Sequence, residues 1–100
     1  MTRETVDQTE ERARKRRQLE RLLKELQELD SLRRRFGRFA RFEREREARI
    51  ADRQNRTPRR TVKEEELAEE TRRVETKIDR TVAAIGDLVA ELGLEGVNLW

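Results

Sequence analysis

The sequence predicts an all-α fold, a long antiparallel coiled-coil helical hairpin, on three observations. Between residues 67 and 92, apolar or threonine side chains recur at alternating spacings of four and three, the heptad period of a helix packed along another helix. A second heptad stripe of apolar residues lies upstream, between residues 19 and 40. A polar, basic run that contains the sole proline, Pro58, separates the two stripes.

The first helix is predicted over residues 5–54. The segment Thr5-Val6-Asp7-Gln8 fits a capping box, in which the threonine hydroxyl accepts from free backbone amides and the glutamine reaches back; Thr2 is an alternative cap. Helix-forming residues then continue to the end of this range. Gly37 is the weak point, because glycine inside a helix costs about 1 kcal/mol relative to alanine. A break at Gly37 would give three helices, which is the alternative architecture.

The upstream stripe predicts which side chains of the first helix face the second. Leu19 begins it, and Phe36 and Phe39 are expected to continue it as core residues, with Ala40 as the alternative to Phe39. Phe42 fits the stripe less well.

The turn is predicted at residues 55–61, because Pro58 lacks an amide hydrogen and disfavours helical geometry in the residue before it. Thr61-Val62-Lys63-Glu64 is a second capping box and begins a helix predicted over residues 62–92. Gly93 is well placed for the left-handed residue that closes many helices.

Folding back about a turn centred near residue 57 pairs positions whose numbers sum to about 115. Leu92 should then meet Leu23, and Ile78 should meet Phe36. In this register residues 1–20 overhang the second helix.

The composition predicts one domain, residues 1–100, with an apolar non-helical tail at 93–100. Only 33% of the residues are hydrophobic and 47% are charged, against about 25% charged in ordinary domains. One such hairpin buries little surface, so we expect self-association into a helical bundle, with a dimer favoured. The residues predicted to carry it are Leu22, Leu26, Leu29, Phe36, Phe39, Val74, Ile78, Val82, Ile85 and Val89.

The residue types argue against an enzyme. The chain has no histidine, cysteine or tyrosine and one serine, and its four glycines form no phosphate-binding loop. The acidic runs at 64–66 and 69–70 are predicted to be solvated charge, so neither a metal site nor a cofactor is expected. No apolar signal peptide or membrane-spanning stretch is found, and the default expectation is a soluble, cytoplasmic protein without a membrane partner.

Positive charge is concentrated in the middle of the chain. Residues 31–60 hold 12 basic and 4 acidic side chains, whereas residues 61–100 hold 5 basic and 10 acidic ones. Arginines outnumber lysines 21 to 4, which reflects either genome composition or a need for bidentate contacts to phosphate.

The arginine-rich middle favours binding of DNA or RNA with little sequence specificity. Arginines supply phosphate contacts, and an exposed Phe42 could stack on unpaired bases. The basic turn adds further arginines, and the cluster between Arg12 and Arg17 is a third candidate. The predicted nucleic-acid-binding residues are Arg33, Arg34, Arg35, Arg38, Arg41, Phe42, Arg53, Arg56, Arg59 and Arg60.

The alternative is a protein-interaction module: a scaffold, an adaptor or a small inhibitor of the phage or plasmid type. It would act on a larger protein partner through the turn, the helix faces or the C-terminal tail. In the tail, Val97, Leu99 and Trp100 are the predicted docking residues, because a terminal tryptophan carries much apolar surface.

Overall fold

The computed structural model describes residues 6–93, which form two α-helices packed against each other as a helical hairpin. Helix α1 is Val6–Arg53, with 48 residues, and helix α2 is Val62–Glu91, with 30. No strand occurs in this part of the chain. The predicted fold class is confirmed, and the end of α1 and both ends of α2 lie within one residue of their predicted positions. The first capping threonine and the tail beyond residue 93 lie outside the described residues.

Helix α1 runs without interruption through Gly37, so the three-helix alternative is wrong. Gly37 is exposed, and a Cβ atom at this position would meet no other atom within 4 Å. Its cost is therefore the modest one of helix propensity, which the strong helix formers on either side outweigh.

The two helices together form two compact units. The first, which we call the apolar unit, comprises the described residues up to Gln27 and those from Asp79 to Gly93. Its core is the buried cluster of Leu19, Leu88 and Leu92. Partly buried side chains that pack against this cluster are Leu22, Ile85 and Val89. This core is made by the two heptad stripes, as predicted.

The second unit, which we call the turn unit, is Glu28–Ile78. Its buried apolar residues are Ala51 and Val74, whereas Glu43 and Glu47 are also buried, at 5% and 8% exposure. The helix seam in this unit is therefore partly polar.

The predicted register is wrong. In the apolar unit, the Arg12 guanidinium donates to the Leu92 carbonyl at 3.1 Å, and Lys15 pairs with Glu91 at 3.4 Å. In the turn unit, the Thr61 hydroxyl lies 3.3 Å from the Glu43 carboxylate. The numbers of these partners sum to between 104 and 106, not to 115. The predicted overhang of residues 1–20 is correspondingly too long, since α1 contacts α2 from Arg12 onward.

The register follows from how the connection between the helices is built. Asn55 adopts the left-handed conformation, with φ of 51°, and the Arg56 amide donates to the Ala51 carbonyl at 2.9 Å, so the chain reverses directly after α1. It then continues without helical structure to Thr61. Along this connection the Arg59 amide contacts Glu47 and the Thr61 hydroxyl contacts Glu43, so two residues of the connection pass four residues of α1. Helix α2 consequently starts beside Glu43.

Both ends of α2 carry the caps that the sequence predicts. The Glu64 amide donates to the Thr61 hydroxyl at 3.1 Å, which confirms this threonine as the N-cap. Gly93 has a φ of 66°, and its amide donates to the Ala90 carbonyl at 3.1 Å. Within residues 6–93, neither helix has a stretch long and apolar enough to cross a membrane.

Candidate nucleic-acid interface

All the predicted nucleic-acid-binding residues belong to the turn unit. Arg33, Arg34, Arg35, Arg38 and Arg41 are all exposed on α1. The heptad seam explains this exposure, because Leu29, Leu32, Phe36 and Ala40 take the partly buried positions and leave the intervening ones to solvent.

Two of these arginines share one carboxylate. Arg33 and Arg34 approach Asp30 at 2.6 and 3.0 Å, one on each carboxylate oxygen. Exposed ion pairs of this spacing contribute only about 0.2–1 kcal/mol. A phosphate group could therefore compete with Asp30 for either guanidinium.

The other three predicted arginines of this segment do not share a carboxylate. Among the described residues, the side chains of Arg35, Arg38 and Arg41 form no ion pair or hydrogen bond. Three exposed guanidinium groups on one helix are open to phosphate oxygens, to which arginine binds in bidentate geometry.

The phenylalanines of this segment differ in exposure. Phe36 is half-buried in the seam, whereas Phe39 is 51% and Phe42 62% exposed. Ala40, not Phe39, takes the next inward position, so the expectation that Phe39 is a core residue is wrong. The sequence spacing allowed both, and packing against α2 decided between them.

The arginines of the turn have different environments. Arg53, Arg59 and Arg60 are exposed, but Arg56 is half-buried and forms an ion pair with Glu47. Because its guanidinium binds a buried carboxylate, Arg56 holds the turn in place, and the case for nucleic-acid binding does not depend on it.

Glu43 and Glu47 are buried glutamates that the sequence pattern did not single out. Glu47 accepts from the Arg56 guanidinium and from the Arg59 amide at 3.4 Å, and Glu43 accepts from the Thr61 hydroxyl. The hydrogen bond from Arg56 lowers the pKa of Glu47, with smaller contributions from the Arg59 amide and both positive charges. Both glutamates continue the heptad stripe of Phe36 and Ala40, which places them on the inward side of α1. Their hydrogen-bond donors come from the connection, whose path the stripe does not show.

An open groove of about 580 Å³ lies beside the turn. Arg44, Arg59 and Arg60 line it together with Glu47 and Glu64. Its charges are mixed, so it is a weaker site for a polyanion than the exposed arginines of α1.

The third candidate, the basic cluster near the start of α1, contacts the end of α2. Arg12 donates to the Leu92 carbonyl, and Lys15 pairs with Glu11 at 3.3 Å and with Glu91. The hydrogen bond that the Lys15 ammonium donates to Glu11 is the main cause that raises the pKa of Lys15. Positive charge at a helix C-terminus is favourable, so these two side chains have a structural role. Arg14, Arg16 and Arg17 are exposed.

Most of the predicted self-association residues are used within the chain. Leu22, Ile85 and Val89 pack against the core of the apolar unit, and Val74 is buried in the turn unit. Leu26, Leu29, Phe36 and Ile78 are half-buried. Val82, at 51% exposure, is free to meet another chain, as is Leu23 at 38%.

Within residues 6–93, no three acidic, histidine or cysteine side chains are grouped so as to hold a metal ion. The acidic residues Glu69 and Glu70 instead pair with Arg73 at 3.0 and 2.8 Å. The predicted docking residues Val97, Leu99 and Trp100 lie outside the described residues.

Comparison of this chain with protein-family models, with curated proteins and with solved structures finds no match.

Proposed function

We propose that this protein is a non-enzymatic, self-associating helical hairpin that binds nucleic acid through exposed arginines of α1, with little sequence specificity. The observation that carries the proposal is the set of Arg35, Arg38 and Arg41, which are exposed and form no ion pair within the described residues. Arg33 and Arg34 add two guanidinium groups that share a single carboxylate.

Low sequence specificity follows from the kind of contact available. Guanidinium groups along one helix face bind phosphate oxygens, which are the same at every nucleotide. Reading base edges in a duplex requires side chains placed in a groove by a docking motif such as a helix-turn-helix. The described chain contains only two helices joined by one connection.

The proposal is tested by fluorescence anisotropy of labelled DNA and RNA at several salt concentrations. We expect log affinity to fall linearly with log salt, with a slope of about 0.7–0.9 for each phosphate contact. Changing Arg35, Arg38 and Arg41 together to glutamine should reduce this slope by about two to three.

A charge-matched control variant distinguishes the loss of this particular arginine site from a general loss of positive charge. The triple change of Arg21, Arg72 and Arg80 to glutamine removes the same charge from exposed positions outside all the candidate sites. It should weaken binding much less. Equal effects of the two triple variants would show that only overall charge matters, and absence of binding at low salt would refute the proposal.

The second candidate is a protein-interaction module, supported by the open groove beside the turn. Its lining combines both signs of charge, as expected for contact with polar groups of another protein. This candidate predicts no salt-dependent binding of nucleic acid, so the same titration separates the two functions.

A further inference from the structure

An exposed row of arginine and phenylalanine side chains runs along α1 in the turn unit. Its members recur at spacings of four and three, so they follow one line on the helix surface, and each is exposed. We call this row the arginine–phenylalanine stripe. It consists of Arg35, Phe39, Phe42, Arg46, Arg49 and Arg53.

The two aromatic rings at its centre are not used by the fold. Phe39 and Phe42 are 51% and 62% exposed, although phenylalanine usually supplies core packing. They stand three residues apart, which is a rise of about 4.5 Å along the helix. Two neighbouring rings are thus presented to solvent on the same side of α1.

The surrounding arginines indicate the charge of what binds there. Within residues 6–93, Arg35, Arg49 and Arg53 form no ion pair, and Arg46 pairs with Glu43, at 3.3 Å from one carboxylate oxygen and 3.5 Å from the other. The stripe itself contains no acidic residue, and Glu45 and Asp52 lie on the adjoining row. A second copy of this chain, packed stripe to stripe, would bring eight arginines together without an acidic residue from either stripe. The complementary ligand is a polyanion with apolar, flat groups.

We infer that the arginine–phenylalanine stripe binds single-stranded nucleic acid. Phe39 and Phe42 stack on unpaired bases, while Arg35, Arg46 and Arg49 bind the flanking phosphates. Base–aromatic stacking of this kind accepts every base, since all have a π-face. A duplex keeps its base faces stacked inside and cannot use the rings. The inference rests on the proposed function and adds to it the form of the nucleic acid.

The length of the stripe sets the size of the ligand. Arg53 lies 18 positions after Arg35, which is a rise of about 27 Å at 1.5 Å per residue. At a spacing of about 3.4 Å per nucleotide this corresponds to roughly eight nucleotides. A strand of 12 nucleotides therefore covers the stripe.

The test measures, by fluorescence anisotropy, the affinity for three labelled ligands. These are a 12-nucleotide single strand of oligothymidine DNA, a 12-nucleotide single strand of oligouridine RNA and a 12-base-pair duplex. The double variant Phe39→Leu and Phe42→Leu keeps an apolar side chain but removes the π-face. We expect its affinity for the single strands to fall by roughly fivefold or more, with the salt slope unchanged. Its affinity for the duplex should stay at the wild-type value.

Two further variants serve as controls. Phe36→Leu makes the same chemical change at a half-buried ring in the seam and should leave single-strand affinity unchanged. Phe42→Trp keeps a stacking surface and should retain wild-type affinity or exceed it. If the double variant loses affinity equally for the DNA and the RNA single strand, the rings contact the strand independently of its sugar. If it loses affinity for only one of them, the stripe prefers that type of strand. Either result supports binding of single strands by the stripe.

The possible results test this inference separately from the proposed function on which it rests. Salt-dependent binding by the wild type together with unchanged single-strand affinity in the double variant would overturn the stripe and leave the proposed function standing. An equal loss of duplex affinity, or a change of oligomeric mass in light scattering, would also overturn it. If the wild type binds no nucleic acid at any salt concentration, both fail.

Discussion

At the scale of single residues, Glu43 and Glu47 determine how the connection is held. A buried carboxylate is costly unless hydrogen bonds and charges compensate it. Here the turn supplies both, through the Arg56 guanidinium, the Arg59 amide and the Thr61 hydroxyl. The connection is therefore fixed to α1 by polar contacts, where the heptad stripe offers few large apolar side chains.

The lowered pKa of Glu47 predicts a specific pH dependence of stability. A group whose pKa is depressed in the folded state stabilises above its ordinary value, here 4.5, and that stability is lost as the pH falls through the folded value. Glu47→Gln should thus melt below the wild type at pH 7, and the difference between the two melting temperatures should shrink below about pH 4.5. Circular dichroism melts at several pH values measure it.

Glu45→Gln is the matched control, since Glu45 is an exposed carboxylate two residues away on the same helix. Its melting temperature should follow the wild type throughout. A Glu47→Gln variant that melts with the wild type at neutral pH would show that the contact with Arg56 adds no stability.

At the scale of elements, α2 begins at a cap that serves two partners. The Thr61 hydroxyl accepts from the Glu64 amide and also lies within hydrogen-bond distance of Glu43 on α1. It therefore ends the non-helical connection, starts the helix and links that start to the neighbouring helix.

Thr61→Ala should lower stability by about 1 kcal/mol, within the range of about 0.5–2 kcal/mol for loss of an N-cap. For a chain of this size the melting temperature should fall by roughly 4–8 °C for each 1 kcal/mol. Thr61→Ser keeps the hydroxyl and should retain most of the stability. If alanine and serine behave alike, the hydroxyl does not act as the cap.

At the scale of the whole molecule, the exposed apolar side chains of the apolar unit are the remaining basis for self-association. Leu23 and Val82 are 38% and 51% exposed, and their numbers sum to 105, which is the register of the contacts in that unit. They thus lie at the same level of the helix pair. A second chain that covered them would bury apolar surface that one hairpin leaves in water.

Val82→Lys is therefore expected to convert a dimer into a monomer of 12.0 kDa in light scattering coupled to size-exclusion chromatography. Val62→Lys makes the same change at a position that is 71% exposed in the turn unit and should leave the mass unchanged. A monomeric wild type, or a dimer that persists in Val82→Lys, would contradict self-association through this surface.

The sequence by itself determined the helices and their ends. The signals are the heptad spacing, Pro58, the Thr61 cap and Gly93. Each depends only on residues a few positions away, so it can be recognised in the sequence without knowledge of the tertiary structure. The exposure of Arg35, Arg38 and Arg41 follows from the same spacing, since these positions lie outside the heptad stripe of Leu32, Phe36 and Ala40.

Only the tertiary structure decided the register, the side on which Phe39 lies and the burial of two glutamates. The register depends on the path of residues 57–60, which are not helical and can therefore advance farther per residue than a helix does. Phe39 and Ala40 both fit the spacing of the stripe, and contact with α2 selected the smaller. Glu43 and Glu47 can be buried because the connection brings hydrogen-bond donors to their carboxylates. The path of that connection cannot be predicted from a local sequence pattern.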